Sequence, residues 1–186
     1  MKTIIKIIAL LLLTQTAVAQ KKSIKAEQLF VTNKVTGKSF KIGSSVNTLK
    51  NFGTLIKADT LDLTVEADDY YIKHTFDNII IFESVQGKIS SYETGSNEIA
   101  LERKGLFSIS PGDHLDKIES LFPAEVREAR IIEMTMEGKS FLLVNLQLSG
   151  FSSYENREIV SNNEGISLLF TPDTKILSRI KFWIRP

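Results

Sequence analysis

Two histidines, His74 and His114, are the only imidazole side chains of this 186-residue chain. His74 shares the alternation of a predicted strand with Ile72 and Phe76, and this pattern favours a hydrogen-bonded histidine in the core or at a sheet edge. His114 falls in the first turn of a predicted helix, where a solvent-facing side chain is expected. Neither histidine belongs to a spacing such as H-E-x-x-H, and no nucleophile motif accompanies them. The sequence therefore predicts no metal site, no cofactor and no catalytic residue.

Acidic side chains are densest at Glu66, Asp68, Asp69 and Asp77. Their spacing lacks the D-x-D-x-D-G order of a calcium loop, and the solvation of a hairpin accounts for them. Glycoside hydrolysis by two carboxylates stays open, because the distance between such groups is set in space rather than along the sequence. We predict that the chain is not an enzyme, and a small exported hydrolase is the alternative.

The charges of the chain are almost balanced, with 23 Lys and Arg against 22 Asp and Glu. No basic cluster of the kind that binds nucleic acid stands out along the sequence. The chain has no cysteine, so an exported form would have neither disulfides nor an acylated cysteine, and its stability would come from its core. We therefore expect no nucleic-acid partner and no lipoprotein.

Residues 1–19 have the organisation of a secretory signal peptide. A basic start and a short apolar run precede Ala17-Val18-Ala19, which provides a small-residue cleavage site. The apolar run is shorter than the roughly 20 residues that a membrane-spanning helix needs. We expect cleavage before Gln20, a periplasmic or secreted location in a bacterial envelope, and no integral membrane segment after cleavage.

A strand, a turn and a short helix follow one another twice along the chain. In residues 107–123, Ser110 is predicted as the N-cap, Pro111 as the first helical residue and Asp113 as the last residue of a capping box. The apolar residues of the two predicted helices are 69 positions apart, and such a recurrence predicts an internal duplication, with units at 20–95 and 96–186 and a loop insertion at 150–165 in the second unit. The apolar stripes of the two predicted helices are Val46, Leu49 and Phe52, and Leu115, Ile118 and Leu121.

The predicted fold class is α+β. Strand alternation, as in Leu61, Leu63 and Val65, indicates antiparallel sheet with one buried and one wet face. Each short helix has an apolar stripe that must pack against something larger. We therefore predict two tandem units, each a short helix packed on an antiparallel β-meander.

This order of elements resembles the β-lactamase inhibitor protein fold, and the small outer-membrane assembly proteins of the BamE type resemble a single unit of it. The resemblance covers the chain from about Gln28, and its motifs are the turns Ile42-Gly43-Ser44-Ser45 and Ile109-Ser110-Pro111-Gly112. It implies a scaffold that binds proteins through its sheet.

The last predicted strand carries the single tryptophan on its more polar side. Alternation places Trp183 with Arg179 and Lys181, and it places Tyr71 with Lys73 on the middle strand of the first unit. If helices cover only the inner face of the sheet, these five groups are exposed together. Aromatic and cationic side chains in this combination are typical of an interface hot spot.

The 150–165 insertion adds Phe151 and Tyr154 to the predicted binding residues. The leading functional prediction is an exported, non-enzymatic protein-binding module with an inhibitory or scaffolding role. Beside the hydrolase, an envelope factor that binds a lipid or peptide is a further alternative. A sheet face bearing aromatics would favour the first, a cleft with carboxylates and a histidine the second, and a wide dry cavity the third.

Overall fold

The computed structural model describes residues 24–62, 70–134, 137–149 and 164–184. The predicted signal peptide and nearly all of the 150–165 insertion lie outside these ranges. The described strands are β1 (Ile24–Lys25), β2 (Phe30–Asn33), β3 (Ser39–Phe40), β4 (Leu55–Asp62), β5 (Tyr70–Phe76), β6 (Ile80–Ser84), β7 (Ile89–Thr94), β8 (Ile99–Arg103), β9 (Phe107–Ile109), β10 (Arg130–Met134), β11 (Lys139–Ser149), β12 (Glu164–Phe170) and β13 (Leu177–Ile184). The described helices are α1 (Leu115–Leu121), α2 (Pro123–Arg127) and the 3-10 helices Ala26–Gln28 and Val46–Leu49.

Nine of the described strands form one large sheet. Strands β4 to β7 pair antiparallel with their neighbours in sequence, and so do strands β10 to β13. The two sets join through an antiparallel pair of β7 and β13, in which Lys181 faces Glu93. Strand β1 adds a short parallel pair at the end of β11. The sheet therefore runs without a break from β4 at one edge to β11 and its neighbours β10 and β1 at the other.

Four further strands form a smaller sheet in the order β3, β2, β8 and β9. It packs on one face of the large sheet, where the rings of Phe40 on β3 and Tyr92 on β7 meet edge-on at 6.1 Å. Helix α1 lies in the same layer, because Leu115 and Ile118 belong to the same buried core as Val144 of β11. We call this side of the large sheet the inner face and the opposite side the outer face.

The predicted fold class, α+β, is wrong, because the described chain is mostly β. In the first half, the predicted helix is a single turn of 3-10 helix, Val46–Leu49, which Ser45 caps through the amide of Asn47. Val46, Asn47 and Thr48 have low helix propensity, and one turn makes too few hydrogen bonds to nucleate an α-helix. Two sheets and one pair of short α-helices replace the predicted pair of helix-on-meander units.

The second predicted helix exists, but it begins later than predicted. Its N-cap is His114 rather than Ser110, and α1 starts at Leu115. Gly112 has a φ of 97°, a left-handed conformation that an α-helix does not contain. Residues 110–113 form a turn instead, in which the amide of Asp113 donates to the carbonyl of Ser110 at 3.1 Å.

The two glycine turns make the same backbone hydrogen bond in both halves of the chain. Gly43 N donates to the carbonyl of Ile89, and Gly112 N donates to the carbonyl of Leu177, both at 2.7 Å. Each bond fixes a turn with positive φ to the first residue of a central strand, β7 or β13. The duplication and its unit boundaries at 20–95 and 96–186 stay a prediction, and this shared bond is a similarity that a duplication would explain.

Candidate binding face

The strand register places four predicted binding residues on the outer face. Tyr71 and Lys73 lie on β5, and Arg179 and Lys181 lie on β13. Directly facing residues share one face of a sheet, and three strand spacings, roughly 14 Å in total, separate β5 from β13 along a row of facing residues. The four residues therefore lie across the middle of one surface. The facing pairs that connect them are Thr75 and Ile80, Ile80 and Glu93, and Glu93 and Lys181.

Carboxylates hold Arg179 from two sides. Its two terminal nitrogens donate to the two carboxylate oxygens of Glu137 at 2.6 and 3.0 Å, and Nη1 also lies 3.0 Å from Oε1 of Glu93. Lys181 Nζ lies 3.1 Å from the other oxygen of Glu93. We call Arg179, Lys181, Glu93 and Glu137 the ion network. Its side chains are 23–29% exposed, so each charge is oriented by a partner rather than by water alone.

The ion network shifts the titration of two of its members. The hydrogen bond from Arg179 lowers the pKa of Glu137 below its ordinary value, and the charges of Arg179, Lys181 and Lys139 act in the same direction. The same hydrogen bond raises the pKa of Arg179. Both shifts favour the charged forms, because a charge-assisted hydrogen bond stabilises an ionised donor and an ionised acceptor. The Arg179 and Glu137 pair is therefore ionised at neutral pH.

A small apolar cluster lies on the outer face next to Arg179. Phe141 and Leu143 of β11 and Leu169 of β12 are buried there, apart from the main core. The guanidinium carbon of Arg179 lies 5.8 Å from the centre of the Phe141 ring, within cation–π range. Val144 of the same strand faces the main core, so β11 is buried on both sides over residues 141–144. This explains why no polar residue interrupts the run from Phe141 to Val144, whereas exposed Asn145 and Gln147 alternate with buried Leu146 and Leu148 further along.

Beside the ion network, the outer face carries half-buried apolar side chains. Ile80 and Phe82 lie on β6, which pairs with β5 on one side and with β7 on the other. Phe82 faces Lys73 across the β5–β6 pair, and both are half-buried, as is Tyr71. Lys73 forms no ion pair within the described ranges. An aromatic ring and a cation thus stand side by side, and Asp59 of β4 faces the same lysine from the other side.

A polar pocket of about 260 Å³ opens at the β11 end of the large sheet. Asn145, one of its residues, accepts a hydrogen bond from the hydroxyl of Ser167 at 3.0 Å. The volume is below the roughly 300 to 1,000 Å³ of common ligand sites, which are also mostly apolar. This pocket therefore does not provide the wide dry cavity that binding of a lipid chain would favour. Its lining residues are Glu125, Glu128, Arg130, Leu143, Asn145 and Gln147.

Three predicted binding residues stay predictions. The backbone of Trp183 faces Gly165 in the β12–β13 pair, but its side chain is outside the described part of the structure. Phe151 and Tyr154 lie outside the described ranges altogether.

The two histidines lie apart and do not form a common site. His74 Nε2 is 2.7 Å from Oε2 of Glu83, and the two side chains are 15% and 12% exposed. The hydrogen-bonded histidine that the sequence predicts is confirmed. This pair lies on the inner face, because His74 faces the fully buried Ile81. His114 instead caps α1, where its Nδ1 accepts the amide hydrogen of Asp116 at 3.3 Å.

Two members of the ion network, Glu93 and Glu137, carry no signal in the sequence. Glu93 meets β13 only through the pairing of β7 with β13, which joins distant parts of the chain. Glu137 lies in the turn between β10 and β11 and reaches Arg179 from there. The apolar cluster does have a signal, because the uninterrupted run from Phe141 to Val144 is typical of a strand buried on both faces.

No family model, characterised protein or solved structure matches the chain significantly. Within the described ranges, no group of three or more histidine or acidic side chains could hold a metal ion. None of the described helices is long and apolar enough to cross a membrane.

Proposed function

We propose that the protein is a non-enzymatic binding module that docks another protein on the outer face of its large sheet. The observation that carries this proposal is the ion network, which fixes Arg179 and Lys181 in the middle of the half-buried sheet face that also carries Phe82 and Tyr71. Aromatic and guanidinium groups held in this way are the common anchors of protein interfaces, since they combine a large contact area with directional hydrogen bonds.

The position of the other layers supports a free outer face. The smaller sheet and α1 both pack into the core on the inner face. On the outer side, charged residues occur on four of the five strands from β4 to β13, as with Asp59 on β4, Lys73 on β5, Glu93 on β7 and Lys181 on β13. A polar face with half-buried aromatics fits a surface that is hydrated when free and dry when occupied.

The ion network also lowers the cost of binding. A long side chain that becomes immobile at an interface loses about 0.5 to 1.5 kcal/mol of rotamer freedom. Arg179 is already fixed by Glu137 and Glu93 before any partner arrives. Lys73 faces Asp59, whose ion pair is with Lys57, so its ammonium group can bind an acidic group of the partner, and Phe82 beside it offers contact for an apolar side chain. We therefore expect a partner surface that combines an apolar side chain with a carboxylate.

Docking is proposed to take place outside the cytoplasm. Residues 1–19 have the basic start, apolar run and A-x-A end of a signal peptide, which supports a periplasmic or secreted location. An inhibitory or scaffolding role, as the β-lactamase inhibitor resemblance implies, is part of the same proposal.

The experiment is an affinity pull-down from native envelope or culture fluid with three baits: the unchanged protein, Lys73→Glu and Lys38→Glu. Lys38 is an exposed lysine on the turn between β2 and β3, in the smaller sheet, so it controls for the change of charge. A protein captured by the unchanged bait and by Lys38→Glu, but lost with Lys73→Glu, supports docking on the outer face. Equal capture by all three baits would place the docking site elsewhere. Trp183→Ala in the same assay tests the predicted anchor.

A further inference from the structure

Strand β4 ends the large sheet with an unpaired edge. It spans eight residues, Leu55–Asp62, and no described strand pairs with its outer side. Leu55 and Ile56 are 50% and 67% exposed there. Such an edge offers free N–H and C=O groups to a further strand, and native proteins usually cover it.

The sequence of β4 is complementary to itself when a second strand runs antiparallel about Ala58. Lys57 then lies opposite Asp59, and Ile56 lies opposite Thr60, with one pair of each kind on both sides of Ala58. Lys57 and Asp59 share one face, where they form an ion pair of 2.7 Å within the strand. Opposite charges that face each other across an antiparallel pair stabilise it. Two additional ion pairs would therefore form between the two strands.

We propose that a second copy of this chain pairs with β4 along its free edge, antiparallel about a two-fold axis at Ala58. The contact uses the same residues on both copies, so it closes with a dimer and leaves neither β4 edge free. In the pairing of β4 with β5, Ile56 is an extra residue between Leu55 and Lys57, and this bulge marks where the new pairing ends. Five residues from each copy form a small interface, so the dimer is weak and forms at high protein concentration.

Strand β10, at the opposite edge of the large sheet, lacks this complementarity in the register centred on its middle residue, Ile132. An antiparallel copy of β10 about Ile132 would set Ile131 opposite Glu133 and Arg130 opposite Met134. Neither pair combines opposite charges or two apolar groups, although Ile131 is 67% exposed. Strand β4 is therefore the edge that a second copy fits, and β10 serves as a control.

The proposed pairing has a consequence for the outer face. Antiparallel strands at a common edge are related by an axis perpendicular to the sheet, so directly facing residues of both copies lie on the same side. The dimer would present two outer faces side by side on one continuous sheet. Dimer formation is measured without a docking partner, so its failure and the failure of the proposed function are distinguishable.

Cysteine cross-linking tests the position of the axis, because the chain has no cysteine of its own. In Ala58→Cys the new side chain lies opposite the same side chain of the second copy. The two Cβ atoms are then about 4.5 to 5.5 Å apart, close to the range of a disulfide. Thr60→Cys is the matched control, since it is exposed on the same strand and face, but its two copies lie roughly 13 Å apart. Under mild oxidation, Ala58→Cys should form a dimer about tenfold faster than Thr60→Cys on non-reducing gels. Equal rates, or no dimer from either variant, would overturn the proposed register.

Charge exchange tests the ion pairs by sedimentation velocity over a concentration series of the purified protein. Asp59→Lys places a lysine of each copy opposite Lys57 of the other, so like charges face each other at both former ion pairs. This variant should weaken the dimer roughly tenfold. The double variant Lys57→Asp/Asp59→Lys restores opposite charges in reversed order and should recover the dimer. Glu133→Lys on β10 should leave it unchanged. A protein that stays monomeric over the whole series, or a dimer that tolerates Asp59→Lys alone, would contradict the pairing.

Discussion

Arg179 joins three features of the outer face. It binds Glu137 through two parallel hydrogen bonds, it contacts Glu93, and its guanidinium lies over the ring of Phe141. A lysine could not replace it, because a single ammonium group cannot make the two parallel hydrogen bonds to one carboxylate. At the residue scale, the outer face is therefore held by side chains from β7, β11, β13 and the β10–β11 turn.

Glu137 should titrate below the ordinary pKa of a glutamate, because Arg179 donates to its carboxylate. A lowered pKa in the folded state means that the pair stabilises the protein above the ordinary pKa, and that this contribution is lost as the pH falls through the lowered pKa. A carbon NMR titration should find the low midpoint, and Arg179→Gln should move it upward. Arg127→Gln, on α2, is the control that should leave it unchanged. An unchanged midpoint in Arg179→Gln would show that the pair does not form in solution.

Replacing Tyr92 by Phe should stabilise the protein. The Tyr92 hydroxyl is buried and has no hydrogen-bond partner among the described residues, and burial raises the pKa of Tyr92 far above its ordinary value. Removing an unsatisfied buried hydroxyl recovers about 1 kcal/mol in the free energy of unfolding. The ring stacks on Phe182 with centroids 6.2 Å apart, so Tyr92→Leu, which loses that contact, should destabilise. Urea unfolding measures both, and a destabilised Tyr92→Phe would mean that the hydroxyl is satisfied.

At the element scale, the sequence predicts features that depend on local spacing. Burial of Leu49 and Ile118 follows from the apolar stripes, and both residues are buried. The apolar spacing does not distinguish a 3-10 turn at Val46–Leu49 from an α-helix, because both helix types place the same residues on one side over a single turn. The positive φ of Gly112 delays the start of α1, and glycine permits that conformation without requiring it. Pairing of β7 with β13 joins distant segments, so no local pattern could reveal the carboxylate of Glu93 beside Lys181.

Truncation of either buried stripe should destabilise the protein despite the different helix types. Leu49 and Ile118 are 6% and 0% exposed and belong to one continuous core. Leu49→Ala and Ile118→Ala should each cost about 2 to 5 kcal/mol, as expected for large-to-small changes in a core. The exposed Leu106, in the β8–β9 turn, is the control, because Leu106→Ala removes little buried surface. Thermal unfolding is the measurement, and an unchanged melting temperature for Ile118→Ala would mean that α1 does not pack as described.

At the scale of the whole molecule, the predicted signal peptide determines where docking could occur. Expression in a bacterium with an intact secretion pathway should yield a mature chain that begins at Gln20, since Ala17-Val18-Ala19 fits a cleavage site. Intact-mass analysis of the exported fraction measures this directly. Full-length chain recovered from the membrane fraction after a carbonate wash would instead identify residues 1–19 as an anchor.

In the described part of the structure, the layers leave the outer face of the large sheet as the surface on which we propose that a partner docks. The smaller sheet and α1 pack on the inner face, and the ion network organises the outer face from β7 to β13. The most direct test is a calorimetric titration of the captured partner against Phe82→Ala, with Leu106→Ala, exposed on the smaller sheet, as the matched apolar control. We expect Phe82→Ala to weaken binding by about 2 kcal/mol, roughly thirtyfold in Kd, while Leu106→Ala leaves Kd unchanged and both variants stay folded. An unchanged Kd for a folded Phe82→Ala would contradict docking on the outer face.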